Sequence, residues 1–169
     1  LLKLQLGMLM LKIRKKKTTS YILDKSTDMS DFYNTLPFQL TEGQAHAVDE
    51  ITADMCSGSP MNRLLQGDVG SGKTAVAAAA CCFAAKNGIQ SAVMAPTEIL
   101  AAQHFKTFNS FLEPCGVRVA LLTGSTPAKQ KAAIREKLLS GEIDLVAGTH
   151  AIIQKDVEYK SLGLVITDE

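Results

Sequence analysis

The stretch Gly67-Asp68-Val69-Gly70-Ser71-Gly72-Lys73-Thr74 consists of a glycine, four further residues, and then Gly-Lys-Thr. Its three glycines allow the backbone to curl tightly and to turn several N–H groups toward one point, where no Cβ atom blocks a bulky anion. Lys73 can reach terminal phosphates, and the hydroxyl of Thr74 can coordinate Mg²⁺. The stretch therefore predicts a loop that binds the phosphates of a nucleotide.

The residues on either side of this loop support the same interpretation. The short, mostly apolar run at residues 63–66 predicts a buried strand, and the alanine-rich run at 75–85 predicts a helix. Alanine is the best helix former, and its small side chain lets a helix lie close to a sheet. Lys86-Asn87-Gly88 then predicts the helix end. A glycine-rich turn before an ordinary helix is the alternative, but strand, loop and helix together are the context that a phosphate-binding loop requires.

Composition is that of one soluble domain. The chain has 169 residues, 46% hydrophobic and 21% charged, and its net charge of +1 neither favours nor excludes a nucleic-acid partner. No apolar run approaches the roughly 20 residues that span a bilayer, so we expect no membrane association. The chain begins without Met and does not resemble a signal peptide, so we expect a piece of a longer protein. We expect reduced thiols and a cytoplasmic location, because no C-x-x-C pair occurs among Cys56, Cys81, Cys82 and Cys115.

The first 35 residues are predicted to be a connection, and residues 36–169 a nucleotide-binding domain. Leu1, Leu4, Met8 and Leu11 have helical spacing, which predicts an amphipathic linker helix. The basic run at residues 12–17 either contacts nucleic-acid phosphates or is simply a solvated helix end. Both interpretations remain open from the sequence.

Predicted strands and helices alternate after the alanine-rich helix. The strands are predicted at residues 90–95, 117–122, 143–147 and 162–167, and one helix at 127–140. Two further helices are predicted to begin at Thr41 and Thr97. Apolar strands joined by helical crossovers predict an α/β fold, a parallel sheet with helices on both faces. The strand ends then lie along one edge, where ligands bind.

Asp168-Glu169 follows the last predicted strand. In an enzyme with a phosphate-binding loop, an Asp at this place holds Mg²⁺, and a following Glu can deprotonate the water that attacks the γ-phosphate. This arrangement favours nucleotide hydrolysis over phosphoryl transfer to a metabolite. The guanine-reading pattern Asn/Thr-Lys-x-Asp is absent from the sequence, which disfavours a GTPase.

The order of several motifs resembles that of superfamily 2 helicases. The motifs are the phosphate loop, Asp168-Glu169, and residues 95–101, 123–125 and 148–151. A closer resemblance, to the RecG family of bacterial ATP-dependent DNA helicases, is carried by residues 36–41, 60–74 and 103–105. This resemblance covers the chain from about Leu36 to its end.

The resemblance implies the first RecA-like motor domain of an enzyme that reverses stalled forks and migrates Holliday junctions. Gly67 to Thr74 would bind ATP phosphates and Mg²⁺, and Lys73 would stabilise the charge that develops during phosphoryl transfer. Asp168 would be a metal ligand and Glu169 the catalytic base. The residues that would hold adenine are Phe38, Leu40, Thr41 and Gln44. The residues that would grip the backbone of a DNA strand are Pro96, Thr97, Thr123, Gly124, Gly148 and Thr149. From the residues alone, a polar helix residue such as Gln44 is more often simply exposed, and strand-end motifs of this kind are more often turns or helix caps.

The sequence departs from the family pattern in few places. Thr167 stands where an aliphatic residue is usual, and neither a second motor domain nor a DNA-gripping wedge domain is present. We therefore expect the chain alone to bind nucleotide weakly and to hydrolyse it poorly. Two other hypotheses remain: the translocase module of a transcription-repair coupling factor, and a nucleotide-binding module without motor activity.

Overall fold

The computed structural model describes residues 21–168, so the predicted linker helix and Glu169 lie outside the described residues. Two short 3₁₀ helices, Glu113–Cys115 and His150–Ile153, supplement the α-helices and strands. In chain order these are α1 (Ser30–Thr35), α2 (Glu42–Met55), α3 (Lys73–Lys86), β1 (Gln90–Met94), α4 (Glu98–Leu112), β2 (Val119–Leu122), α5 (Ala128–Ser140), β3 (Leu145–Gly148) and β4 (Leu162–Thr167). Within the described residues, no helix is both long and apolar enough to cross a membrane.

The strands form one parallel sheet in the order β2-β3-β1-β4. Met94 at the end of β1 is in register with Gly148 of β3 and with Thr167 of β4. Leu122 at the end of β2 is in register with Gly148 as well. All four carboxyl ends therefore meet at one edge of the sheet, as the alternating pattern predicts.

Both faces of the sheet are covered, because successive side chains of a strand point to opposite sides. Val93 and Leu145 pack in one apolar cluster with α3 and α4, whereas Ala92 and Val146 pack in another with Leu138 of α5. This confirms the predicted α/β fold with helices on both faces.

Helix α3 lies in the middle of the first cluster. Ala78, Ala79 and Ala84 have no exposed surface, and Cys81 and Cys82 are buried beside them. Small side chains let the backbone of this helix approach the sheet closely. The helix ends at Lys86 with Asn87 as its C-cap, and Gly88 follows with a φ of +73°, which matches the predicted helix end.

The strand predicted at residues 63–66 is wrong. Residues 61–68 have no regular secondary structure, and Leu64 is 87% exposed. The Arg63 guanidinium is held instead by α2, through Asp54 Oδ2 at 2.5 Å and Glu50 Oε2 at 2.6 Å. These ion pairs secure the segment against a helix, and none of the four strands of the described sheet pairs with it.

Helix α1 was not predicted. Its Phe32 is fully buried in the same cluster as α3, although it belongs to the first 35 residues, which are predicted to be a connection. The aromatic ring reaches the core from a helix of 6 residues, too short to produce a helical repeat in the sequence.

Candidate nucleotide and nucleic-acid site

The phosphate loop requires glycine for two separate reasons. Gly70 and Gly72 each have a φ of +79°, a left-handed conformation that side chains disfavour. A Cβ atom on Gly67 would lie 2.7 Å from Ser71 Oγ, and one on Gly72 would collide with Gln44 Nε2. The glycine pattern therefore reflects both the curl of the loop and the close packing of its neighbours.

The loop leads directly into α3, whose N-cap is Gly72. No side chain caps this helix, so its first N–H groups are open to an anion, as at other phosphate-binding helix starts. Lys73 folds back over the loop, and its Nζ donates to the carbonyls of Gly67 at 2.8 Å and Asp68 at 2.9 Å. A nucleotide phosphate is a stronger acceptor than a carbonyl and would compete for the same ammonium group.

Gln44 connects the start of α2 to the phosphate loop. Its Oε1 accepts from the Thr41 N–H at 2.9 Å, while Thr41 Oγ1 accepts from the Gln44 N–H at 3.3 Å, which is a capping box. Its Nε2 donates to Ser71 O at 2.7 Å. Gln44 is thus not merely a solvated helix residue, because both ends of its amide are engaged.

The other residues predicted to hold adenine lie before α2. Phe38 is 43% exposed, and its ring meets that of Phe111 edge to face at 6.2 Å between centroids. Leu40 is half-buried against the first apolar cluster. Of the four residues predicted to hold adenine, Gln44 contacts the loop directly, through Ser71 O.

Asp168 follows β4 and reaches a cavity beside the phosphate loop. Its N–H donates to Met94 O at 2.9 Å, which continues the pairing of β4 with β1 past the end of the strand. Lys73, Thr74 and Asp168 line the same cavity of about 530 Å³, so the structure brings the predicted lysine, hydroxyl and carboxylate together. Among residues 21–168, no group of three or more His, Cys, Asp and Glu side chains forms a metal site.

His104 is a site residue that the sequence analysis missed. Its Nε2 lies 2.6 Å from Asp168 Oδ2, and it lines the same cavity. It belongs to the inner face of α4, three residues after buried Ala101 and four before buried Phe108. A histidine at a buried helical position was the available signal, since a polar ring there needs a partner.

Three strand-end loops lie at the same edge of the sheet, after β1, β2 and β3. In the first, Thr97 Oγ1 caps α4 by accepting from the Leu100 N–H at 3.3 Å. That bond leaves the hydroxyl hydrogen free to donate. Thr97 and its neighbour Pro96 are exposed.

The second and third loops are more buried. Thr123 is 4% exposed, and its Oγ1 is within 3.1 Å of Ser125 Oγ and 3.2 Å of Thr126 Oγ1, whereas Gly124 is exposed. Gly148 is buried, and a Cβ atom there would collide with Leu122 O, while Thr149 is half-buried. Of the residues predicted to grip a DNA strand, Pro96, Thr97 and Gly124 are therefore exposed, whereas Thr123 and Gly148 are buried and Thr149 is half-buried.

The parallel sheet, the glycine loop at the start of α3 and the carboxylate after β4 define a P-loop nucleotide-binding domain of the RecA-like class. The sequence profile of the DEAD/DEAH box helicases matches residues 41–169. The chain belongs to this helicase family.

Within the family the chain resembles RecG. It is 55% identical to the ATP-dependent DNA helicase RecG of Bacillus subtilis over 142 residues, which are 84% of this chain and 21% of that protein. It is 48% identical to RecG of Aquifex aeolicus over 167 residues, 98% of this chain and 21% of the relative. The chain therefore spans about a fifth of the length of these relatives.

Solved structures agree with the sequence comparison. A structure of RecG bound to a three-way DNA junction superposes with a TM-score of 0.84 and 47% identity, over 94% of this chain and 22% of that one. A hypothetical ATP-dependent RNA helicase from Sulfolobus tokodaii superposes with a TM-score of 0.62 at 24% identity, over 83% of this chain and 40% of that one, and supports the fold alone.

Proposed function

We propose that this chain is the first RecA-like motor domain of an ATP-dependent DNA helicase that remodels branched DNA, including forks and Holliday junctions. The observation that carries the proposal is the placement of the phosphate loop, Asp168 and three strand-end loops along one edge of one sheet. The extensive identity to RecG supports branched DNA as the substrate, since the solved relative is described as bound to a three-way junction.

ATP is the nucleotide that we propose for the loop. The open N–H groups at the start of α3 would hold its phosphates, and Lys73 would leave its two carbonyl acceptors to bind them. Phe38, Leu40, Thr41 and Gln44 would hold the base, and the bond from Gln44 Nε2 to Ser71 O supports this by connecting the set to the loop.

Mg²⁺ fits the donors at this site. The Thr74 hydroxyl and the Asp168 carboxylate line one cavity with Lys73, and hard oxygen donors together with phosphates are what this ion prefers. When bound, it supplies charge neutralisation at the phosphates. Glu169, which lies outside the described residues, would act as the base toward the attacking water.

The DNA strand would run across the loops that follow β1, β2 and β3. Contacts to phosphates from hydroxyl and backbone N–H groups hold a strand without reading its sequence, and Thr97 and Thr149 carry hydroxyls at these loops. A second motor domain and a wedge domain would complete the enzyme. We propose a cytoplasmic location, in keeping with the free state of Cys56, Cys81, Cys82 and Cys115.

The proposal is tested on the complete product of the gene that encodes this chain. We expect it to reverse model forks with ATP and Mg²⁺, and we expect Lys73→Ala and Glu169→Gln to reduce that activity by at least about a hundredfold. Lys129→Ala, an exposed lysine on α5, is the matched control and should leave fork reversal unchanged. Fork remodelling that survives Glu169→Gln would show that hydrolysis does not drive it, and a nucleotide-binding module without motor activity would then be the better description.

A further inference from the structure

We infer that His104 is a positioning residue, which orients the Asp168 carboxylate and couples it to the helix that begins at the strand-binding edge. The inference rests on the proposed function and deepens it, because it names a path between the nucleotide site and the DNA site.

The contact itself is short and partly shielded. His104 Nε2 lies 2.6 Å from Asp168 Oδ2, and the His104 side chain is 17% exposed whereas that of Asp168 is 44% exposed. The imidazole also packs against Phe108, with 6.0 Å between ring centroids. The ring is therefore held by the core on one side and offers its nitrogen to the carboxylate on the other.

The direction of the Asp168 carboxylate depends on contacts made by its side chain. The Asp168 backbone is anchored to β1 through Met94 O at 2.9 Å, so the free rotation that remains belongs to its side chain. A donated hydrogen bond from Nε2 selects one orientation and leaves Oδ1 for other partners. Hydrogen bonds of this kind to a metal-binding carboxylate set its geometry and its affinity for the metal.

Helix α4 carries this contact toward the DNA site. Its N-cap is Thr97 and its first residue is Glu98, and the carboxylate of Glu98 holds Ser125 in the loop after β2. His104 follows Thr97 by 7 residues, which corresponds to roughly two turns or 10 Å of helix. Because a helix moves as a rigid rod over this length, a shift of its start on strand binding also shifts the imidazole against Asp168.

A histidine on an apolar helix face often serves only to satisfy the core. Here its partner is a carboxylate on the cavity wall rather than a buried carbonyl, and the cavity also contains Lys73 and Thr74. That arrangement favours a role in the nucleotide site. A histidine that positions Asp168 and a histidine that only packs in the core should respond differently to substitution.

The experiment uses the complete gene product with His104→Ala, His104→Gln and the control His46→Ala. His46 is on α2, and its side chain is 75% exposed. Affinity for a fluorescent ADP analogue is measured with Mg²⁺ and with EDTA, and ATP hydrolysis is measured with and without single-stranded DNA. Thermal unfolding is followed for each variant.

We expect His104→Ala to weaken ADP binding about tenfold in Mg²⁺ and to leave binding in EDTA unchanged. The stimulation of hydrolysis by DNA should fall by a similar factor. His104→Gln, whose amide can still donate, should recover most of both losses, and His46→Ala should match the unsubstituted protein. In an Asp168→Asn background, His104→Ala should have no further effect, because residues that act through one contact are not additive.

If His104→Ala lowers ADP affinity equally in Mg²⁺ and in EDTA and also lowers the melting temperature, His104 only packs in the core and the inference is overturned. Additive effects of His104→Ala and Asp168→Asn would overturn it as well. If the unsubstituted protein shows no response to DNA, the proposed function fails, while the Mg²⁺-dependent ADP measurement still decides whether His104 positions Asp168.

Discussion

Glu98 and Ser125 join the loops that follow β1 and β2. Glu98 Oε1 accepts from the Ser125 N–H at 2.9 Å, and Glu98 Oε2 accepts from Ser125 Oγ at 2.5 Å. Lys131 Nζ completes the connection by donating to Gly124 O at 2.7 Å. The negative charge of one side chain thus holds together two loops that we propose to face a DNA strand.

Glu98→Gln should weaken binding of single-stranded DNA by the complete gene product about fivefold, since one of the two charge-assisted bonds is lost and the second loop loosens. Fluorescence anisotropy with a labelled oligonucleotide measures this. Glu158→Gln, an exposed glutamate before β4, is the matched control. Tighter DNA binding by Glu98→Gln would mean that the carboxylate acts mainly by repelling phosphate.

The same contact has a predictable pH dependence. The side-chain hydroxyl and then the backbone N–H of Ser125 hold the pKa of Glu98 below its ordinary value of 4.5. Because the folded-state pKa is lowered, the contact stabilises the loops above the ordinary pKa and is lost as the pH falls through the lowered one. Carbon chemical shifts of the Glu98 carboxyl group should therefore titrate below pH 4.5, and titration above that value would contradict the contact.

Gly72→Ala should destabilise the chain by about 1–2 kcal/mol, because alanine is strained at a φ of +79° and its Cβ atom would collide with Gln44 Nε2. Gly43→Ala is the matched control. Gly43 lies inside α2 with nothing within 4 Å of an added Cβ atom, so this change should stabilise the chain by about 0.5–1 kcal/mol. Chemical denaturation measures the free energy of unfolding of both variants. Equal changes in the two variants would contradict the described loop geometry.

Gln44→Glu should separate the two contacts of this side chain. A carboxylate can still accept from the Thr41 N–H, but it repels Ser71 O, to which Gln44 Nε2 donates. We expect the helix to remain capped and the affinity for ATP to fall about tenfold, as the loop loses its tie to α2 and gains a nearby negative charge. Gln130→Glu on exposed α5 controls for the added charge, and unchanged ATP affinity in Gln44→Glu would show that the tie to Ser71 is dispensable.

Alkaline pH should destabilise the chain, because three buried groups have raised pKa values. Burial raises the pKa of Cys81, Cys82 and Tyr159 to about 12 each. A raised folded-state pKa means that the stabilisation is fully present below the unfolded-state pKa and is lost as the pH rises through the folded-state value. Stability should therefore decline from about pH 9 upward, and denaturant titrations between pH 8 and 11 measure the slope of the free energy of unfolding against pH.

In the native chain below pH 9, alkylating reagents should modify half-buried Cys56 before Cys81 or Cys82.

Much of the site was predictable because its chemistry is local in sequence. The glycine spacing, the capping residue Thr41 and the strand before Asp168 each follow from neighbouring residues, and the structure contains left-handed glycines in the loop, the cap and the strand. The strand predicted at residues 63–66 is wrong, because the prediction rested on the apolar residues of this run alone. A strand also needs a neighbouring strand to pair with, and the local sequence does not show whether one is present.

By itself, the sequence determined the class of fold, the phosphate loop and the order of the strand-end motifs, since periodicity, glycine positions and helix caps act over a few residues. Only the tertiary structure decided which of those residues touch. Residues far apart in the chain, such as His104 and Asp168 or Glu98 and Ser125, meet because parallel strands bring their carboxyl ends to one edge and α4 crosses between them. Such contacts depend on the packing of the whole sheet, for which no short stretch of sequence carries a signal.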